Sequence, residues 1–210
     1  MADKLGILAG GGGLPARLVE ACRASGRPVF VLAFEGQTDP AAVRGVDHAW
    51  ARLGAAGNSL EVLRAAGVRE LVMAGAITRP SLSELRPDLR GVRFFAKVGA
   101  SGLGDDGLLR AIVDTLETEE GFRVIGIDDV MDGLLAPIGC IGALSPDEEA
   151  ARDIARGVAV ARALGAVDVG QAVVVQQGIV LGLEAAEGTD RLLARCKDCA
   201  GRDPVPSSSS

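Results

Sequence analysis

Four consecutive glycines, Gly10, Gly11, Gly12 and Gly13, form the stretch of this sequence best suited to binding a ligand. They follow a short apolar run and precede a helical pattern that Pro15 opens. A glycine-rich turn between a strand and a helix exposes backbone N–H groups, and the helix dipole favours negative charge at its N-terminus. The stretch, with Leu14 behind it, therefore predicts a site for a phosphate.

The same glycines partly fit a dinucleotide-binding fingerprint. Gly10, Gly12 and the acid Glu35 after the second strand match G-x-G-x-x-G and its ribose-binding carboxylate, but Pro15 takes the place of the third glycine. An NAD-dependent oxidoreductase therefore stays open as an alternative. The absence of a following Gly-Lys-Ser/Thr excludes a P-loop. The glycines could also serve only to make a tight turn.

Carboxylates suited to Mg²⁺ occur in two groups. Asp105 and Asp106 stand at the start of a helical pattern, and Glu184, Glu187 and Asp190 lie in the segment LEAAEGTDRL. Hydrolysis of a diphosphate needs an in-line water and charge neutralisation, usually by Mg²⁺, for which one or two carboxylates suffice. Both groups could instead cap helices. Which acid would bind the metal stays open.

Two further polar residues lie where ligands bind in α/β proteins. Arg79 follows the predicted strand at residues 69–74, and an arginine beyond the carboxyl end of a parallel strand could clamp a phosphate. The alternative is a solvated loop residue. Gln171 lies in the largely apolar strand pattern of residues 169–175, so its amide either satisfies a turn or faces a site.

Short apolar strands alternate with helices through the first half of the chain. Strands are predicted at residues 5–9, 28–34, 46–51, 69–74 and 122–126. Asn58 is predicted to cap a helix at residues 59–66, and one apolar helix face comprises Leu109, Ile112, Val113 and Leu116. This alternation predicts a Rossmann-like parallel sheet with helices on both faces.

The pattern breaks down over residues 128–144, where the domain boundary is predicted. Ser145 and Pro146 predict the cap and first residue of a long helix. Residues 169–175 and 179–183 predict a hairpin, and Thr189 is predicted to cap a last helix. The prediction is an α/β protein with a Rossmann-like domain at 1–130, a smaller, incomplete α/β domain at 131–200 and a disordered tail at 201–210.

The composition of the chain limits the classes of partner that it is expected to bind. The net charge is -6, aromatic residues make up 3% of the chain and no basic patch stands out, which argues against nucleic acid. No run of about 18 apolar residues is present, so no membrane span is predicted. Because no signal peptide is visible, the four cysteines indicate reduced thiols in a cytoplasmic chain.

Five segments in order resemble one family. They are LGILAGGGGLP, MAGAITRP, SGLGDDGLLRAIVDTLE, LLAPIGCIGALSPDE and VDVGQAVVVQQGIVLGLEAAEGTDRLLARC. Together, over about residues 4–196, they resemble UDP-2,3-diacylglucosamine pyrophosphatases of the LpxI type.

The resemblance implies an enzyme of lipid A synthesis that hydrolyses UDP-2,3-diacylglucosamine with Mg²⁺, giving UMP and 2,3-diacylglucosamine 1-phosphate. Water would attack the phosphorus on the uridine side, and the ligand would lie between two domains. Carried over by position, the glycines and Leu14 would contact the sugar phosphate. Further cleft residues would be Asp106, Gln171, Gly188 and Thr189, with Glu187 and Asp190 as catalytic residues.

The chain departs from the family after Cys196, where KDCAGRDPVPSSSS replaces a segment rich in lysine and aspartate. The expectation is a truncated or frameshifted member, and a non-catalytic ligand-binding remnant is therefore the second hypothesis. The resemblance also implies a location peripheral to the inner membrane, with transient contact to its surface. A homo-oligomer is a further possibility.

Overall fold

The computed structural model describes residues 3–78, 87–98, 105–134, 136 and 138–199. The chain divides into two compact units. Unit 1 comprises Met1–Leu103 and Leu108–Ala136, and unit 2 comprises Gly104–Gly107 and Pro137–Ser210. The predicted tail at 201–210 lies outside the described residues.

Unit 1 contains a five-stranded sheet in the order β3-β2-β1-β4-β5, with every neighbouring pair parallel. The strands are β1 (Leu5–Ala9), β2 (Val29–Phe34), β3 (His48–Ala51), β4 (Glu70–Ala74) and β5 (Arg123–Val124). The predicted α/β class is confirmed. The fifth strand is shorter than the predicted 122–126, because only Arg123 and Val124 pair with β4.

Four helices accompany this sheet, and two of them begin where the sequence predicted. They are α1 (Leu14–Ala24), α2 (Ala56–Ala65), α3 (Leu89–Val98) and α4 (Asp105–Thr118), with a 3-10 turn at Pro40–Val43. Neither α3 nor the 3-10 turn was predicted from the sequence.

The core of unit 1 has two layers, one on each face of the sheet. On one face, Leu5, Ile7 and Ala9 of β1 pack with Leu18 and Cys22 of α1. The other face holds a cluster drawn from β2, β4, α2 and α4, namely Phe30, Leu32, Leu71, Leu60, Leu63 and Leu116. Strand side chains alternate between faces, so both layers bury apolar groups and the sheet is held rigidly.

Unit 2 is built on the predicted hairpin. Strands β6 (Val173–Gln176) and β7 (Ile179–Leu183) pair antiparallel, and the helices are α5 (Glu148–Ala166) and α6 (Thr189–Lys197). Helix α6 packs closely on β7, since a Cβ on Gly182 would lie 2.4 Å from Cys196 Sγ. Helix α5 contains no buried residue.

Three predicted helix caps were wrong. Helix α2 begins at Ala56 rather than after Asn58, and the N–H of Gly57 donates to Asp88 Oδ2 at 2.7 Å. Helix α5 is capped by Asp147, whose Oδ1 accepts from the Ala150 N–H, rather than by Ser145. Gly188, rather than Thr189, occupies the cap position of α6.

The predicted apolar face of α4 was only partly correct. Leu116 is buried and Ile112 packs against the second core cluster, whereas Leu109 is 47% exposed. Within the described ranges, no helix is both long and apolar enough to cross a membrane.

Candidate functional site

The glycine loop, residues 10–13, follows the central strand of the sheet. From β1 the chain crosses to β2 on one side, and the later strand β4 pairs with β1 on the other side. The loop therefore stands at the carboxyl end of the strands, at the point where the direction of winding reverses. Ligands of open α/β sheets bind at this position.

The first half of the loop is fixed by contact with the segment after β4. Gly10 N–H donates to the carbonyl of Ala74 at 2.7 Å, while Gly11 and Ala76 exchange hydrogen bonds of 2.7 and 3.1 Å. A Cβ on Gly10 would lie 2.6 Å from the Ala76 carbonyl oxygen, and one on Gly75 would lie 2.4 Å from that of Gly11. Glycine is therefore required at 10 and 75 by close backbone approach.

The second half of the loop is open. Gly12 has a φ of +84°, and a Cβ on Gly12 or Gly13 would meet no atom within 4 Å. Gly13 is the N-cap of α1, without a side-chain cap. In the part of the chain that the structure describes, the N–H groups of Gly12, Gly13 and Leu14 make no hydrogen bond. These donors, together with the helix dipole, suit an anion.

The loop after β2 joins the other two loops. Thr38 is buried, and its hydroxyl donates to the Ala9 carbonyl and accepts from the Phe34 N–H. The side-chain amide of Gln37 bonds to both backbone groups of Thr78, at 2.8 and 3.3 Å. Three strand ends are thus tied into one surface.

Two predicted binding residues cannot be placed on this surface. Arg79 lies outside the described residues, and the side chain of Asp106, in the first turn of α4, lies outside them too. Glu35, the acid of the dinucleotide alternative, is exposed after β2.

In unit 2, Glu184 joins two of the predicted substrate-binding residues. Its carboxylate, in a residue only 6% exposed, accepts from the Thr189 hydroxyl at 2.6 Å and from the Gln171 N–H at 3.0 Å. These hydrogen bonds, that from Thr189 first, lower the pKa of Glu184. Glu184 therefore stays charged and has a structural task, which explains why Thr189 does not cap α6.

Glu187 is held in an ion pair. Its Oε1 lies 3.2 Å from Nε and 3.0 Å from Nη2 of Arg195, whose Nη2 also donates to the Leu183 carbonyl. Its own backbone N–H and the Arg195 side chain lower the pKa of Glu187. The ion pair with Arg195 fixes the Glu187 carboxylate beside α6.

Asp190 differs from both glutamates. It is exposed in the first turn of α6, two residues after Gly188, whose φ is +82°. Within the described part of the chain it makes no hydrogen bond or ion pair. Its oxygens are therefore available for water or a hard cation. No three His, Cys, Asp or Glu side chains cluster as a ready metal site among the described residues.

The structure thus brings together the predicted glycine-loop residues in unit 1 and, around Glu184, Gln171 and Thr189 in unit 2. The roles of Gln37 and Thr38 were not predicted from the sequence. Their signal was the pair of polar residues directly after an apolar strand and a glycine, the position at which α/β sheets present ligand-binding groups.

Comparison with known proteins gives concordant matches. Residues 4–134 match the LpxI N-terminal domain model, and residues 137–206 match the LpxI C-terminal domain model. The second match extends beyond residue 196, where the resemblance was expected to end. The UDP-2,3-diacylglucosamine pyrophosphatase LpxI of Caulobacter vibrioides is 40% identical over 198 residues, covering 93% of this chain and 69% of that protein.

A solved structure of an isochorismatase family protein from Burkholderia thailandensis was also matched. Its identity is 16% and its TM-score 0.31, over 60% of this chain and 92% of that one. A similarity at this level supports no inference about fold or function.

Proposed function

The chain belongs to the LpxI family, and we propose that it hydrolyses UDP-2,3-diacylglucosamine to UMP and 2,3-diacylglucosamine 1-phosphate in lipid A synthesis. The observation that carries the proposal is the 40% identity to the Caulobacter pyrophosphatase across 93% of this chain. Neither the oxidoreductase nor the non-catalytic alternative has comparable support.

The glycine loop supports a phosphate-containing substrate. The N–H groups of Gly12, Gly13 and Leu14 have no hydrogen-bond partner among the described residues, at the N-terminus of α1. We propose that they donate to phosphate oxygens of the substrate, on the sugar-phosphate side. Backbone donors on a rigid sheet hold such charge without reorganisation.

For the hydrolytic step we propose Asp190 as the catalytic carboxylate. It would take a proton from the attacking water, whose oxygen bonds to the phosphorus on the uridine side while the bond to the bridging oxygen breaks. That oxygen and its electron pair leave with the sugar phosphate. Glu187, paired with Arg195, would fix the turn before α6 and so position Asp190.

Mg²⁺ is proposed as the cofactor. One exposed carboxylate fits its demand for hard oxygen ligands alongside retained waters, and Asp190 provides one. When bound, the ion would neutralise charge on the diphosphate. Gly188, Thr189 and Gln171 are proposed to bind substrate beside Asp190, with Arg79 and Asp106 as further contacts.

The test is UMP release from UDP-2,3-diacylglucosamine by the whole chain, with Mg²⁺ and with excess EDTA. Asp190→Asn should lower kcat by about 10²- to 10⁴-fold, because a positioned proton acceptor contributes that much. The matched control is Asp198→Asn, an exposed aspartate at the other end of α6. Absence of UMP from the unaltered chain would refute the proposal, and NAD-dependent thermal stabilisation would revive the oxidoreductase.

Transient contact with the inner membrane from the cytoplasmic side belongs to the same proposal, because the substrate carries two acyl chains. Exposed apolar side chains in the segment before α5, Ile138, Ile141 and Leu144, support it. An acidic chain gains no electrostatic attraction to anionic lipid, so such contact would depend on apolar groups. A homo-oligomer stays a prediction.

A further inference from the structure

We infer that Gln37 is a positioning residue for the glycine-loop site, a role that rests on the proposed function. Its side chain is the link between the loops after β2 and β4. The Thr78 N–H donates to Gln37 Oε1 at 2.8 Å, and Gln37 Nε2 donates to the Thr78 carbonyl at 3.3 Å. Both polar groups of the amide are therefore used on one backbone residue.

The amide of Gln37 acts as a substitute for a peptide group. Ala76 exchanges two backbone hydrogen bonds with Gly11, in an isolated antiparallel bridge. Thr78 lies two residues further, and in an extended chain alternate residues present their N–H and C=O groups on the same side. Strand β1 cannot supply the next partner, because the residue opposite Thr78 in this antiparallel bridge would be Ala9, which already pairs with β2 and β4 in the parallel sheet. One carbonyl acceptor and one N–H donor make the Gln37 amide equivalent to the missing peptide.

This arrangement determines the width of the site. Gly11 is hydrogen-bonded to Ala76 on one side. On the other side, a Cβ on Gly11 would lie 3.1 Å from the backbone carbonyl oxygen of Gln37. Gln37 therefore holds the segment after β4 at a fixed distance from the free N–H groups of Gly12 and Gly13. Thr78 directly precedes Arg79, a proposed phosphate-binding residue. Gln37 would thus act on substrate through other residues.

The informative variant is Gln37→Met, which keeps the length and volume of the side chain and removes both hydrogen bonds. We expect KM for UDP-2,3-diacylglucosamine to rise about three- to tenfold, the effect of one to two net hydrogen bonds, with a smaller change in kcat. Gln37→Glu keeps the oxygen that accepts from the Thr78 N–H, so this amide should again be protected from hydrogen exchange. It lacks the N–H group that donates to the Thr78 carbonyl. Glu20→Met, on the exposed side of α1, is the matched control.

Three measurements decide the result: KM and kcat, the melting temperature, and hydrogen exchange at the Thr78 amide. Raised KM with faster exchange at Thr78 and an almost unchanged melting temperature supports the inference. An unchanged KM in Gln37→Met overturns the inference. If the melting temperature falls while KM is unchanged, Gln37 has only a structural role. If the unaltered chain releases no UMP, the proposed function fails instead, and exchange at Thr78 still reports whether Gln37 holds the loop.

Discussion

The two units build their candidate site residues from different materials. In unit 1 the site consists of backbone groups at the end of a sheet with a buried core cluster on each face. In unit 2 the residues that organise the site are carboxylates, and the long helix α5 buries none of its residues. Asp153 bonds through its two oxygens to the N–H groups of Gln177 and Gly178, at 2.7 and 2.6 Å, much as Glu184 bonds to Gln171 and Thr189.

This difference predicts that the two units respond to different perturbations. The backbone donors of the glycine loop have no charge to titrate, so this site should respond to added atoms rather than to pH. Unit 2 depends on charge-assisted hydrogen bonds, which weaken when a carboxylate is neutralised. Steric substitutions and pH should therefore separate the two units.

Gly75→Ala should have the largest effect. The new Cβ would lie 2.4 Å from the Gly11 carbonyl oxygen at a φ of +94°, so strain of about 1–3 kcal/mol adds to a clash that the two loops cannot both avoid. We expect a lowered melting temperature and loss of substrate turnover. Gly13→Ala is the control for the melting temperature alone, because Gly13 is itself a proposed substrate donor; its φ is −82° and its Cβ would meet no atom within 4 Å. Equal effects of the two variants would contradict a steric origin.

Glu184→Ala should have an intermediate effect, confined to unit 2. It leaves the Gln171 N–H and the Thr189 hydroxyl without their acceptor, which costs about 1–3 kcal/mol in the free energy of unfolding. Urea denaturation at pH 7 measures it, with Glu149→Ala, exposed in the first turn of α5, as the control.

The same residue gives a pH dependence of definite sign. Because the folded pKa of Glu184 is lowered, its contribution is present above the ordinary carboxyl pKa of about 4.3 and is lost as the pH falls through the lower, folded value. Glu184→Gln should thus lose less stability on acidification than the unaltered chain. An identical acid dependence in both proteins would show that the Glu184 carboxylate does not contribute.

Gln177→Gly should have the smallest effect and the opposite sign. Gln177 has a φ of +50° in the hairpin turn and is followed by Gly178 at +75°. Glycine removes the strain of the left-handed conformation, but it raises the entropy of the unfolded chain. The net gain in the free energy of unfolding should therefore be below about 1 kcal/mol. The melting temperature should rise slightly while KM stays unchanged. A decrease would mean that the Gln177 side chain stabilises the turn.

The strands could be predicted because each is a short apolar run, such as residues 5–9 and 28–34. Such a run is visible in the local composition alone. The hairpin was equally local. The start of α2 was not, because a distant residue supplies the hydrogen bond in its first turn: the Gly57 N–H donates to Asp88, which follows the fourth strand. The same carboxylate bonds to the Gly91 N–H in the first turn of α3, a helix that the sequence analysis missed.

The candidate site divides in the same way. Glycines predict an anion site because their conformational freedom is intrinsic, so residues 10–13 could be identified directly. The partners of Gln37 and Glu184 lie on other loops, and only the folded chain shows that an amide completes a strand or that a glutamate organises a turn. Asp190 was proposed as a metal ligand from its residue type and as a catalytic residue from the family resemblance, and its lack of partners among the described residues could not have been predicted.

The pairing of Gly11 with Ala76 also constrains the order of events during synthesis. Strands β2, β3 and β4 lie between these two residues in the chain, so all three must be translated before the partner of Gly11 exists. The glycine loop therefore leaves the ribosome before β2, β3 and β4, yet it acquires its final shape only after β4 has emerged. Until then the central strand has an unpaired edge, which makes the early nascent chain the stage most exposed to mispairing.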